Sequence, residues 1–223
     1  APEAQAQRVS PMAYDLEPSG SGAQKNLTIE NTSQTPMTIE LFANRIIIDD
    51  LGVETTSPAE DDFLIFPPQA IIKPGKKQTV RLKYIGDPKI GSTSAYRVSV
   101  KQVAVDIAGE GNSAVGLVVN FNTLATVSPK GAKSDLVVKN IMSTADGKWA
   151  ITLVNNGKKM ARLSRTKWEF SDGSGNKKAF NSREVADMFS RNLVMPGKEM
   201  TISMPAISGL DASSSTAKIT ATS

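Results

Sequence analysis

Phe63-Leu64-Ile65-Phe66-Pro67-Pro68-Gln69-Ala70-Ile71-Ile72-Lys73-Pro74-Gly75-Lys76-Lys77-Gln78-Thr79-Val80-Arg81-Leu82 holds apolar runs punctuated by prolines. Proline donates no backbone N–H, so Phe66-Pro67-Pro68 reads as the end of one strand and the start of another. Pro74-Gly75 presets a tight turn. After it Val80, Leu82 and Tyr84 alternate with Thr79, Arg81 and Lys83. An apolar residue at every second position is the strand period, with one face buried and the other wet.

The same alternation spreads outward from this stretch. Leu27 and Ile29 alternate with Asn26, Thr28 and Glu30, and Met37, Ile39 and Leu41 alternate with Thr38 and Glu40. Further strands are expected at the N-terminus (9–14) and over 95–105, 115–127, 136–142, 149–154, 161–170, 200–204 and 217–222. Turn clusters separate them, among them Asn31-Thr32-Ser33-Gln34-Thr35-Pro36, Asn155-Asn156-Gly157 and Asp172-Gly173-Ser174-Gly175-Asn176. Only 183–189 could be helical. Many short strands without β-α alternation predict an all-β chain of sandwich or barrel type. Ser128-Pro129-Lys130-Gly131 interrupts the pattern, which places a boundary between domains 1–128 and 129–223. The Asn-rich turn at Asn155 falls early in the second domain, where the turn at Asn31 falls in the first.

Composition excludes more chemistry than the motifs offer. The 223 residues include no His and no Cys, which removes the usual general base, the commonest transition-metal ligand and every disulfide. Ser164 to Lys167 and Ser215 to Lys218 match a Ser-x-x-Lys spacing, but that pairing needs a helix turn and both lie in strand-like sequence. Asp49-Asp50 and Glu60-Asp61-Asp62 lack the loop pattern of a calcium site and read as solvated turns. The expectation is no enzyme, no cofactor and no metal. A net charge of +4 comes from Lys and Arg interspersed with Asp and Glu, and the few aromatics do not interleave with a basic stripe, so no nucleic-acid partner is expected. No apolar run approaches the roughly 18 residues of a membrane span, so no direct membrane insertion is expected. The opening Ala1-Pro2-Glu3-Ala4-Gln5-Ala6-Gln7 has neither an initiator Met nor an apolar stretch, as expected of a mature chain whose secretory signal has been removed.

The order and spacing of Phe-Pro-Pro, the apolar pair, Pro-Gly and Gln-x-Val-Arg-Leu resemble the central signature of periplasmic pilus chaperones, the PapD-like family. Leu27-Thr28-Ile29-Glu30-Asn31 and the long alternating strand 115–127 add to the likeness, and Ala95-Tyr96-Arg97-Val98-Ser99-Val100-Lys101-Gln102 resembles the divergent, archaic branch. The resemblance implies two immunoglobulin-like sandwiches and a periplasmic location. It implies pilin or fimbrial subunits as partners, captured by donor-strand complementation and passed to an outer-membrane usher, with the free chaperone a monomer or a weak self-capping oligomer. Lending a strand needs open main-chain groups and apolar side chains at alternate positions. Val115, Leu117, Val119 and Phe121 are expected to be that donor row.

At one functional point the sequence departs from the family pattern. Family members hold the subunit's C-terminal carboxylate with an Arg on the first strand and a Lys on the donor strand, positions that fall near Pro11 and Leu124 here. Neither is charged. Arg97 is the first replacement candidate, Lys101 the second and Arg8 the third, because a desolvated carboxylate needs a cation. The alternative is a structural or adhesive immunoglobulin-like module, in which the Val115 to Phe121 row fills the chain's own core and no carboxylate anchor exists.

Overall fold

The computed structural model describes residues 7–49, 53–103, 119–189 and 192–222. The chain divides into two compact units. The first takes the chain up to Ile47 with Thr56–Ile90 and Ser94–Val127, and the second takes Ser128 onward with 48–55 and 91–93.

In the first unit β1 (Gln7–Ser10), β3 (Gln24–Asn31), β8 (Lys77–Tyr84) and β6 (Phe63–Phe66) form one sheet in the order β1-β3-β8-β6. The second sheet runs β2-β10-β9-β4-β5, from β2 (Ala13–Leu16), β10 (Asn120–Val127), β9 (Ser94–Val103), β4 (Met37–Ile48) and β5 (Glu54–Pro58), with β7 (Gln69–Ile72) paired to β4. Alternation works as the sequence implies. Leu27, Ile29, Val80 and Leu82 of one sheet meet Ile39, Tyr96, Val98 and Val100 of the other in a single buried core. The expected strand over 9–14 is corrected: it is two strands in different sheets, because Pro11 has no N–H with which to continue a ladder.

The second unit contains β11 (Leu136–Ser143), β12 (Lys148–Asn155) and β17 (Glu199–Pro205) in one sheet. A second sheet is β15 (Lys177–Phe180), β14 (Thr166–Ser171) and β18 (Thr216–Ala221), and β13 (Ala161–Arg162) pairs with β16 (Leu193–Val194). Trp149, Ile151, Leu153, Trp168, Phe170 and Met200 share its core. The expected strand over 161–170 is broken by a 3-10 turn at Leu163–Arg165, which turns Leu163 inward and lets the Thr166 hydroxyl donate to its carbonyl at 2.6 Å. The helix is α1 (Ser182–Met188). Asn181 caps it by accepting from the N–H groups of Arg183 and Glu184, and Glu184 accepts in return from the Asn181 N–H at 2.8 Å.

One device occurs in both units. Buried Asn31 ends β3, donates to the Thr35 and Ile72 carbonyls at 2.8 Å each, and takes the Ser33 N–H at 3.0 Å. Buried Asn155 ends β12, donates to the Lys159 carbonyl at 2.8 Å and the Val194 carbonyl at 3.1 Å, and takes the Gly157 N–H at 3.0 Å. Each backbone carbonyl also receives the N–H of a glycine in a Pro-Gly turn, Gly75 in the first unit and Gly197 in the second, both at 2.8 Å. Those glycines have φ of 67° and 69°, a left-handed region that disfavours a side chain.

Candidate functional site

The sheet edge at β10 is where an open backbone, apolar side chains and a cation come together. Throughout its length β10 pairs antiparallel with β9, from Asn120 opposite Lys101 to Val127 opposite Ser94. On its other side the parallel partner β2 covers only Leu124 to Val127. The Leu124 N–H donates to the Met12 carbonyl at 2.8 Å, and the Gln102 N–H donates to the Val119 carbonyl at 3.1 Å. Even-numbered residues of β10 therefore point their backbone groups toward β2 and odd-numbered ones toward β9. At Asn120 and Asn122, β2 no longer runs alongside, so that ladder edge is open among the described residues.

Side chains of β10 divide just as regularly. Phe121, Thr123, Ala125 and Val127 face the core side, where the Thr123 hydroxyl donates to the Val98 carbonyl at 2.9 Å and meets the Tyr14 hydroxyl at 3.0 Å. Burial pushes the Tyr14 hydroxyl well above its usual range, against the opposing pull of Thr123. On the opposite face Asn120 and Asn122 are exposed, whereas Leu124 and Thr126 are buried. Ser99 donates to the Asn122 side-chain oxygen at 2.6 Å, and Thr126 donates to the Asp15 carboxylate.

Of the expected donor row, Val115 and Leu117 lie outside the described residues. Val119 and Phe121 are half-buried, and Phe121 packs against the unit's own core. Arg97 is half-buried on the outer face, opposite Leu124 on one side and Asn44 on the other. Lys101 is exposed on the same face, between Asn120 and Glu40. Arg8 belongs to the other sheet, where it stands opposite Glu30 and faces solvent. The fold thus brings Arg97 and Lys101 to one face and leaves Arg8 apart from them.

Sequence reading missed what Asp62 does. It is no loose acidic turn residue: its carboxylate accepts from Arg45 at 2.8 Å and from the Tyr96 hydroxyl at 2.8 Å, while Phe63, Tyr84 and Tyr96 stack edge-on beside it. The Asp62 bond drives the Arg45 guanidinium pKa further up, and burial raises that of Tyr96. A period-two pattern signals that Tyr96 is inward, but the pairing with a turn residue 34 positions away is a long-range fact. Among the described residues no three acidic groups gather as a metal site. Ser164 sits in the 3-10 turn and Lys167 on the exposed side of β14, without the helix turn that a Ser-x-x-Lys pair needs.

Residues 16–131 match the family described as pili and flagellar-assembly chaperone, PapD N-terminal domain. No curated protein matches. Among solved structures, the class 5 fimbriae chaperone CfaA is similar over 98% of this chain and 99% of its own, at 15% identity and a TM-score of 0.63. A chain of the CsuC–CsuE chaperone–tip adhesion subunit pre-assembly complex, from the archaic chaperone-usher Csu pili of Acinetobacter baumannii, is similar over 92% of this chain and 89% of its own, at 18% and 0.60. A chain of the complex of the Salmonella enterica SafA pilin with the SafB chaperone is similar over 92% and 87%, at 15% and 0.63. At these identities the structures show a shared fold, that of two immunoglobulin-like sandwiches.

Proposed function

The chain belongs to the pili and flagellar-assembly chaperones, and on that premise we propose that it captures pilus subunits through the open edge of β10 and delivers them to an outer-membrane usher in the periplasm. One observation supports the reading most: β2 stops alongside Leu124, so among the described residues β10 carries a ladder edge that is unpaired on one side while it pairs with β9 on the other. An edge of this kind is normally covered or charged, because it templates pairing with any other strand. Here Asn120 and Asn122 offer their main-chain groups, and Val119 and Phe121 offer apolar side chains on alternate positions, with Val115 and Leu117 continuing the row. A pilin lacking its last strand needs both.

Arg97 anchors the subunit's C-terminal carboxylate, with Lys101 as the second cation of the same face. Leu124 stands directly opposite Arg97 in the ladder, and an apolar neighbour that keeps water from an ion pair strengthens it. Mixing the chain with a pilin-like subunit that lacks its final strand tests the whole reading. Hydrogen exchange of the Asn120 and Asn122 amides should slow when the subunit binds. Unchanged exchange in a saturated complex would remove the donor edge from the account.

A further inference from the structure

Lys and Arg are scattered along the sequence, yet four of them share one sheet face. Strand alternation puts Lys77, Arg81 and Lys83 of β8 on the outer face of the β1-β3-β8-β6 sheet, and pairing sets Arg8 of β1 on the same face. Glu30 is the one carboxylate on the described strands of that face, and it lies 3.9 Å from Lys77. The remaining outward positions are Ser10, Gln24, Asn26, Thr28 and Thr79, all uncharged. Apolar side chains gather at one margin only: Phe66 is 71% exposed and Leu64 55% on edge strand β6, with Ile85 at 51% just past β8. Phe66 is directly opposite Arg81 and Leu64 directly opposite Lys83.

We infer that this face docks on an anionic lipid surface. A protein-binding patch carries its apolar residues at the centre and its polar ones at the rim, and here the order is reversed, a cationic field with an apolar margin. Basic side chains are drawn to anionic headgroups, and a phenylalanine beside them enters the interfacial layer. Two point charges spaced by alternate residues on one strand suit a plane of headgroups better than a pocket. The inference goes beyond the donor-edge reading and stands without it, since it concerns the opposite sheet.

The test is flotation of the whole chain with vesicles of phosphatidylcholine containing about 30% phosphatidylglycerol, and with phosphatidylcholine alone. Binding is expected to the anionic vesicles only, and to weaken as salt rises from about 50 to about 300 mM. The pair Arg81→Glu and Lys83→Glu should lower the partition at least about tenfold, and Phe66→Ser should lower it severalfold. All three residues are exposed, so an unchanged melting curve will show that the fold survives. Lys177→Glu with Lys178→Glu changes net charge equally on the second unit and should leave binding intact. No flotation, equal flotation with neutral vesicles, an equal loss in the control pair, or a partition unmoved by Arg81→Glu with Lys83→Glu or by Phe66→Ser overturns the inference. So does capture on immobilised polyglutamate without vesicle binding, which would make the partner an acidic protein.

Discussion

Leu124 stands directly across from Arg97 in the β9–β10 ladder, and the same leucine donates its N–H to the Met12 carbonyl at 2.8 Å, next to Pro11. Pro11 and Leu124, near which the resemblance places the family's two cations, are therefore neighbours in this fold, while an arginine occupies the next strand over, on the same face as Leu124.

Arg97→Ala should lower subunit affinity by about 1.5 to 3 kcal/mol, the worth of one charge-assisted bond. Titration calorimetry with a pilin-like subunit reads it, and the urea midpoint of the free chain should move little. Should Arg97→Ala bind like the parent while Lys101→Ala or Arg8→Ala does not, the anchor lies elsewhere.

Asn122→Pro separates edge from core. The Asn122 N–H points toward the open side, so its loss leaves the β9 ladder whole, and proline is tolerated where a strand's N–H faces solvent. Subunit capture should be abolished by Asn122→Pro and nearly kept by Asn122→Ala, with both variants folded by circular dichroism. Equal capture by the two variants would show that this edge lends no strand.

The donor row should split along its length. Phe121 already packs against the first unit's core, so Phe121→Ala should cost about 1 to 2 kcal/mol of stability as well as affinity. Leu117→Ala should cost roughly 1.5 to 3 kcal/mol of affinity with little change in unfolding. The measurement is a pair, urea unfolding of the free chain and subunit affinity. A large loss of stability at Leu117 with unchanged affinity would return the row to the chain's own core.

Asn31 and Asn155 hold equivalent corners of their units, each through several buried bonds. Alanine at either site strands carbonyls and N–H groups inside and should cost about 2 to 4 kcal/mol in the unit concerned. Gly157→Ala should also be severe, because a Cβ there would come within 2.3 Å of the Lys133 carbonyl oxygen. Calorimetry with the two transitions followed separately checks both, and a loss spread evenly over the units would contradict the assignment.

Asp146 is held down to about 2, first by the Thr144 hydroxyl and then by the Lys148 ammonium 2.9 Å away. Its folded value lies below the unfolded one, so what it contributes is fully present above the usual carboxylate range and is lost as pH falls toward about 2. Thr144→Val should return the Asp146 titration toward 3.8. Carboxyl-carbon NMR reads it, and an unmoved titration would leave Lys148 as the cause.

Strand alternation at Leu27, Ile29, Val80, Leu82, Ile151 and Leu153 was legible in the sequence, because which face a side chain takes follows from local geometry with a period of two. So were the Pro74-Gly75 turn, the likeness of the Asn31 and Asn155 corners, and the want of histidine and cysteine chemistry. Only tertiary structure decided that the first strand breaks at Pro11 into two sheets, that Tyr14 meets Thr123 across 109 residues, and that Arg97 rather than Arg8 shares a face with Lys101 and Leu124. It also gathered Lys77, Arg81, Lys83 and Arg8 on one sheet face. The physical reason is the same throughout. Periodicity is set by neighbours along the chain, whereas the partner and sheet of each strand are chosen by pairings between residues far apart in sequence, which no local pattern encodes.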